Sequence, residues 1–327
     1  MQTSPIRAAV FVSSVLALYI SAAMLIPAAV DLYYGHADWQ VFIFCAMTTG
    51  GLALIVAAAT RSRSPIQSTR FTFLLVAGLW VTLGLVGSIP FYMSSLDLDL
   101  ADSVFEAVSM ITTTGSTVMV GLDDTPPGIL VWRSLLQWIG GLGVIALGLF
   151  LLPFLNVGGF SYFQIESSDI EERPFERFST FIIALIGIYV ALTALCAISY
   201  AAAGMSTFDA LNHSMATLAT GGGGTRDASF GNYGNGVLWV GTFFMLVGAL
   251  PFSILILFVA RGRLDALRDP QIRVFLGYVA FFILSVAIYR RVTTDVPFDA
   301  ALVQAAFNFT SVITTTGFVS EDYSQWG

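Results

Sequence analysis

Phe105-Glu-Ala-Val-Ser-Met-Ile-Thr-Thr-Thr-Gly115 and Phe307-Asn-Phe-Thr-Ser-Val-Ile-Thr-Thr-Thr-Gly317 are two copies of one pattern in a chain of 327 residues. Each copy has a Phe ten positions before its glycine, a Ser six before, an Ile four before and a threonine triplet. A weaker copy lies between them, Leu211-Asn-His-Ser-Met-Ala-Thr-Leu-Ala-Thr-Gly221, which keeps one threonine before the glycine and continues as Gly222, Gly223 and Gly224. The three glycines fall about a hundred residues apart, each after a long apolar run and a short one. Internal symmetry of this sort points to a transport site in a membrane protein.

Composition sets the surroundings. The chain is 56% hydrophobic and 11% charged, with a mean hydropathy of +0.81. A soluble domain carries roughly 25% charged residues. Apolar runs long enough to cross a bilayer, about 20 residues each, are predicted at 8–30, 40–60, 71–95, 130–156, 179–203, 236–260 and 272–292. Shorter apolar pieces at about 102–113, 207–219 and 298–313 are too short to cross, and suit half-helices that enter the membrane and turn back. The fold predicted is an all-α polytopic membrane protein. Tandem repeats of span, half-helix, filter loop and span surround a pore, preceded by a two-span N-terminal hairpin. The divisions are 1–64 for the hairpin, 65–165 and 166–265 for two repeats, and 266–327 for an incomplete third.

The basic residues, all arginine, orient the chain. With a cytoplasmic N-terminus, Arg7, Arg61, Arg63, Arg70, Arg173, Arg177, Arg261, Arg263, Arg268 and Arg273 fall inside, and only Arg133, Arg226, Arg290 and Arg291 outside. So few positive charges give nucleic acid nothing to bind. Acidic residues cluster on the outer side, where they either focus field on a pore mouth or form a solvated loop. Cys45 and Cys196 lie inside apolar runs and read as small buried side chains. The N-terminal charge-then-apolar order is longer than a signal peptide's and reads as a retained first span.

A potassium ion entering a narrow pore exchanges its water for several oxygens, held strongly enough to admit it and weakly enough to release it. Backbone carbonyls provide these where glycine permits positive φ and threonine hydroxyls hold the loop. The candidate ion-binding residues are therefore Thr112, Thr113, Thr114 and Gly115 in the first loop, Ala219, Thr220, Gly221 and Gly222 in the second, and Thr314, Thr315, Thr316 and Gly317 in the third. Half-helices would aim their negative C-terminal ends from Ile111, Leu218 and Ile313. Taken alone, the Gly221–Gly224 run reads equally as a flexible linker. Gln137–Gly143 is glycine-rich but lies within a span, where small residues serve close helix packing. His213 and His36 have no metal-ligand spacing around them, and His213 reads as structural. Arg133 either snorkels to the interface or pairs with an outer carboxylate. The carboxylate pairs Asp97 with Asp99 and Asp123 with Asp124 lack a basic phosphate clamp, so no enzyme is expected.

At Phe105–Thr117, Arg133–Gly143, Leu152–Gly159, His213–Ser229 and Phe307–Phe318 the chain resembles the Trk/Ktr/HKT superfamily of cation transporters, most of all its TrkH-type bacterial members. The resemblance covers nearly the whole chain and includes the N-terminal hairpin. It implies potassium uptake through four repeats in one polypeptide, with no cofactor. Glycine in the filter loops is associated there with potassium, and serine in the first loop with sodium. Gly115, Gly221 and Gly317 take the matching places, with Gly222 the alternative for the second. The resemblance further implies a homodimer in the bacterial inner membrane, gated by a cytosolic nucleotide-binding subunit of the TrkA/KtrA kind. The alternative is a sodium-permeable or poorly selective relative. The fourth repeat and the rest of the third are not in this sequence, and are expected either in a continuation of the chain or from another chain that completes the pore.

Overall fold

The computed structural model describes residues 4–61, 69–151, 174–252, 254–256 and 269–326. Among them every regular element is a helix, and six helices are long and apolar enough to cross a membrane. The chain divides into two compact units, Met1–Phe160 and Ser161–Gly327.

The first unit begins with α1 (Pro5–Ala23) and α2 (Leu25–Tyr34), which together form one apolar stretch longer than the predicted 8–30. Then come α3 (Trp39–Thr60), α4 (Thr69–Met93), the half-helix α5 (Leu100–Ile111) and α6 (Pro127–Leu151). Helix α1 packs on α3 and α4. Lipid tails give apolar helices no reason to prefer each other, so association rests on close contact and interhelical hydrogen bonds. Both are present: Ser21 and Thr49 hydroxyls lie 2.7 Å apart, and a Cβ on Gly50 would meet the Ser21 Cβ at 3.4 Å.

A buried carboxylate ties the hairpin to α6. Asp31, wholly excluded from solvent, accepts a 2.6 Å hydrogen bond from the Gly128 N–H. Gly128 is in the first turn of α6, where N–H groups lack partners within the helix and a carboxylate is favoured. A Cβ on Gly128 would lie 2.2 Å from the Asp31 carboxylate, so glycine is required for the approach.

The second unit contains α7 (Pro174–Ala202), the half-helix α8 (Thr207–Leu218), α9 (Asn235–Gly248), α10 (Pro270–Thr293) and the half-helix α11 (Phe298–Ile313). The order span, half-helix, loop, span thus runs from α4 to α6, again from α7 to α9, and begins a third time at α10. The span predicted at 236–260 breaks after Gly248: Leu250 N–H closes a tight turn onto Val247, and Ile254 N–H bonds back to Pro251. Proline lacks the N–H that would continue the helix and is suited to starting the next one. Residues 152–156 and 257–260 of the predicted spans lie outside the described residues.

In both complete repeats the inner span passes beneath its half-helix. A Cβ on Gly140 of α6 would lie 1.9 Å from the Ile111 carbonyl oxygen, and one on Gly248 of α9 would lie 3.2 Å from that of Leu218. Gly143, one turn on, has open space around it. Gly140→Val is expected to lower stability by about 1–3 kcal/mol through overpacking, read as a drop in melting temperature in detergent. Gly143→Ala should leave the melting temperature unchanged or slightly raised.

Candidate functional site

The three half-helices end at Ile111, Leu218 and Ile313 and reverse in the same way. Thr113 N–H bonds to the Met110 carbonyl and Thr114 N–H to that of Ser109. In the second loop Thr220 bonds to Thr217 and Gly221 to Ala216; in the third Thr315 bonds to Val312 and Thr316 to Ser311. These are Schellman closures, in which the residue past the cap turns left-handed and glycine normally stands. Here threonine stands there, with φ of 57° at Thr113, 48° at Thr220 and 58° at Thr315. A β-branched residue in that region is strained. Such strain persists only where the surroundings over-determine it, and it concentrates at functional sites.

Two residues further on φ is positive again, at Gly115 (77°), Gly222 (69°) and Gly317 (89°). Alternating the hand of successive residues lets a short run of chain turn its peptide groups to a common side, the arrangement that ion-binding backbones use. This pattern settles the register of the middle loop: Gly222, not Gly221, is the counterpart of Gly115 and Gly317. Gly221 stands where the other loops have Thr114 and Thr316. A Cβ on Gly222 would lie 1.9 Å from the Thr316 carbonyl oxygen, so the second and third loops touch backbone to backbone.

Hydroxyls brace the first and third loops from behind. The Thr112 and Thr114 hydroxyls are 2.8 Å apart, and Thr112 also donates to the Val108 carbonyl at 2.7 Å. The third loop repeats both contacts, Thr314 with Thr316 at 2.8 Å and Thr314 to Thr310 at 2.7 Å. Ala219 occupies the corresponding place in the second loop.

One position on the first and third half-helices bonds to the segment that leaves the loop. Glu106 accepts from the Thr117 hydroxyl at 2.9 Å and the Val118 N–H at 3.2 Å. The corresponding Asn308 accepts from Ser320 N–H at 3.1 Å and donates to its hydroxyl. His213 is the counterpart in the middle, buried, with Nδ1 2.9 Å from the Asp209 carbonyl and the ring edge-on to Phe230 at 4.9 Å. That agrees with its structural reading from sequence.

Among the described residues each loop also has an arginine–carboxylate pair, built differently each time. Arg133 of α6 donates to Glu106 at 2.7 Å with both side chains buried. Arg226 donates to Asp209 at 3.0 Å and lies over the Tyr233 ring at 5.7 Å. Arg290 of α10 pairs with Glu321 and sits 4.6 Å over the Trp326 ring. Burial pushes the Tyr233 phenol up to about 12. Sequence reasoning left the Arg133 partner open and did not single out Arg226 or Arg290. The available signal was that all four arginines assigned to the outer side lie within 27 residues of a loop glycine.

Tandem spans with half-helices that feed reversed, carbonyl-rich loops define an integral membrane protein of repeated re-entrant hairpins. Residues 39–327 match the TrkH family, described as cation transport proteins, and the chain belongs to that family. It is 40% identical to the Trk system potassium uptake protein TrkI of Halomonas elongata over 97% of its own length and 64% of that protein's. It is 36% identical to the Trk system potassium uptake protein TrkH of Escherichia coli K12, covering 98% of this chain and 68% of that one. The crystal structure of the potassium transporter TrkH from Vibrio parahaemolyticus superposes with a TM-score of 0.90 at 31% identity, over 98% of this chain and 67% of that one. The chain thus spans about two thirds of the length of these relatives.

Removing one member of a buried ion pair costs about 3–5 kcal/mol, because the other charge is left uncompensated. Arg133→Met alone is therefore expected to destabilise the protein more than Arg133→Met combined with Glu106→Gln. Equal losses in a thermal-melt comparison would show that the pair does not act as a unit.

Proposed function

We propose that this chain is the membrane subunit of a potassium uptake system, and that Thr112–Gly115, Ala219–Gly222 and Thr314–Gly317 supply carbonyl oxygens that replace the ion's water. The observation that carries this reading is the threefold recurrence of one strained backbone: a left-handed threonine at the half-helix C-terminus, then a left-handed glycine two residues later. Three copies that keep a costly conformation while their side chains differ need a common purpose. Peptide oxygens near the negative end of a helix favour a cation, and they bind it weakly enough for passage. Glycine at 115, 222 and 317 accords with potassium, and the relatives' names say the same of them.

Ten of the fourteen arginines support an N-terminus on the cytoplasmic side of a bacterial inner membrane. Three of the four exceptions are Arg133, Arg226 and Arg290, each engaged with a carboxylate beside a loop. Their placement is thereby accounted for without reversing the topology. A second copy of the chain and a cytosolic nucleotide-binding subunit complete the proposed assembly, the latter controlling the gate.

Expressed from its own reading frame in bacteria that lack their own potassium uptake, the protein should restore growth at low potassium. It should also accumulate rubidium against excess sodium. Sodium entry undiminished by excess potassium would overturn the potassium assignment in favour of a poorly selective transporter.

A further inference from the structure

The middle loop has no hydroxyls where both its neighbours pair theirs. In the first loop the Ser109 hydroxyl donates to the Ser116 carbonyl at 2.5 Å, and Thr112 and Thr114 share a hydrogen bond. The corresponding middle positions are Ala216, Ala219 and Gly221, which carry no hydroxyl. His213, where Glu106 and Asn308 bond to the departing strand, directs Nε2 into the protein without a hydrogen-bond partner. The loop with the most glycine therefore has no threonine hydroxyl pair.

What it has instead is Asp209. This carboxylate, only 5% exposed, accepts from the Thr225 hydroxyl at 2.7 Å and from the Arg226 guanidinium at 3.0 Å. Its own N–H is capped by the Ser206 hydroxyl at 3.0 Å, which fixes it to the first turn of α8. A charge-assisted bond to a carboxylate is roughly twice as strong as a neutral one. Asp209 thus grips the chain just past Gly224 from a rigid point on the half-helix. In the third loop the corresponding Gln304 accepts from the Ser320 hydroxyl, a neutral version of the same contact. In the first, Glu106 holds the strand.

We propose that Asp209, through Thr225 and Arg226, is the positioning residue of the middle loop and sets how well that loop discriminates between alkali ions. A carbonyl ring tells ions apart only while its oxygens resist closing on a smaller one, and in this loop the Asp209 carboxylate holds the departing chain where the neighbouring loops have hydroxyl pairs. The inference rests on the filter reading above.

The test compares Asp209→Asn with Asp102→Asn, its counterpart on the first half-helix, in cells and in purified protein. Asp209→Asn should lower the rubidium-to-sodium uptake ratio about tenfold at an unchanged membrane level. Asp102→Asn should keep the ratio within about twofold. Adding Ala219→Thr and Gly221→Thr to Asp209→Asn supplies the missing hydroxyl pair and should recover much of the ratio. A ratio unaffected by Asp209→Asn, or lowered equally by Asp102→Asn, would overturn the proposal. If Asp209→Asn does not reach the membrane, Thr225→Val removes one bond and keeps the carboxylate; it should give a smaller fall, and no fall would be contrary. Amide hydrogen exchange over 221–226 should speed up in Asp209→Asn whichever ion the protein carries. A wild-type protein that fails to discriminate would therefore defeat the potassium reading while this measurement still decides the role of Asp209.

Discussion

A helix that ends inside a membrane must do something with its last carbonyls, and every other feature of this protein follows from how α5, α8 and α11 do it. Water is scarce there, so the groups at the helix end are closed by a local turn or left to face a cation. The three half-helices close theirs by a turn, and in the proposed function the peptide groups that follow face a cation. Their last turns close onto a threonine in the left-handed region, and the chain then runs on with a left-handed glycine at 115, 222 or 317. The same sharp reversal that satisfies the helix end exposes the following peptide groups.

A backbone held against its own preference needs a rigid frame, and the frame has two layers. Close behind each loop are short contacts within the repeat: the threonine hydroxyl pairs, and Glu106, Asp209 or Asn308 reaching the departing strand. Beyond these, Gly140 and Gly248 bring the inner spans against the half-helix ends. In the second unit the two loops also support each other, through Gly222 against Thr316 and the Phe230 N–H on the Val319 carbonyl at 2.9 Å. The arginine–carboxylate pairs belong to the same frame. They differ in origin from loop to loop, as expected when duplicated segments keep a geometry and drift in the side chains that maintain it.

The half-helices and their loops were legible because the first and third copies share their letters as well as their pattern. The middle copy was readable only to within one residue. Its Thr220-Gly221 spelling imitates the Thr114-Gly115 of the first loop, whereas the helix end at Leu218, aligned with Ile111 and Ile313, places Gly222 in register. The ion pairs were not legible in the same way. Arg133 and Glu106 are 27 positions apart on different helices, and Asp31 and Gly128 are 97 apart. Such contacts are fixed by packing, which periodicity does not reveal. The break after Gly248 was signalled by Pro251, but the apolar run across it masked the signal.

The central claim is that peptide oxygens, not side chains, hold the transported ion. Anomalous scattering from crystals of the protein soaked in rubidium or thallium locates the ion directly. The account predicts density at coordinating distance from the carbonyls of residues 113–115, 220–222 and 315–317. Density confined to carboxylates such as Asp123 and Asp124, with none against those carbonyls, would contradict it.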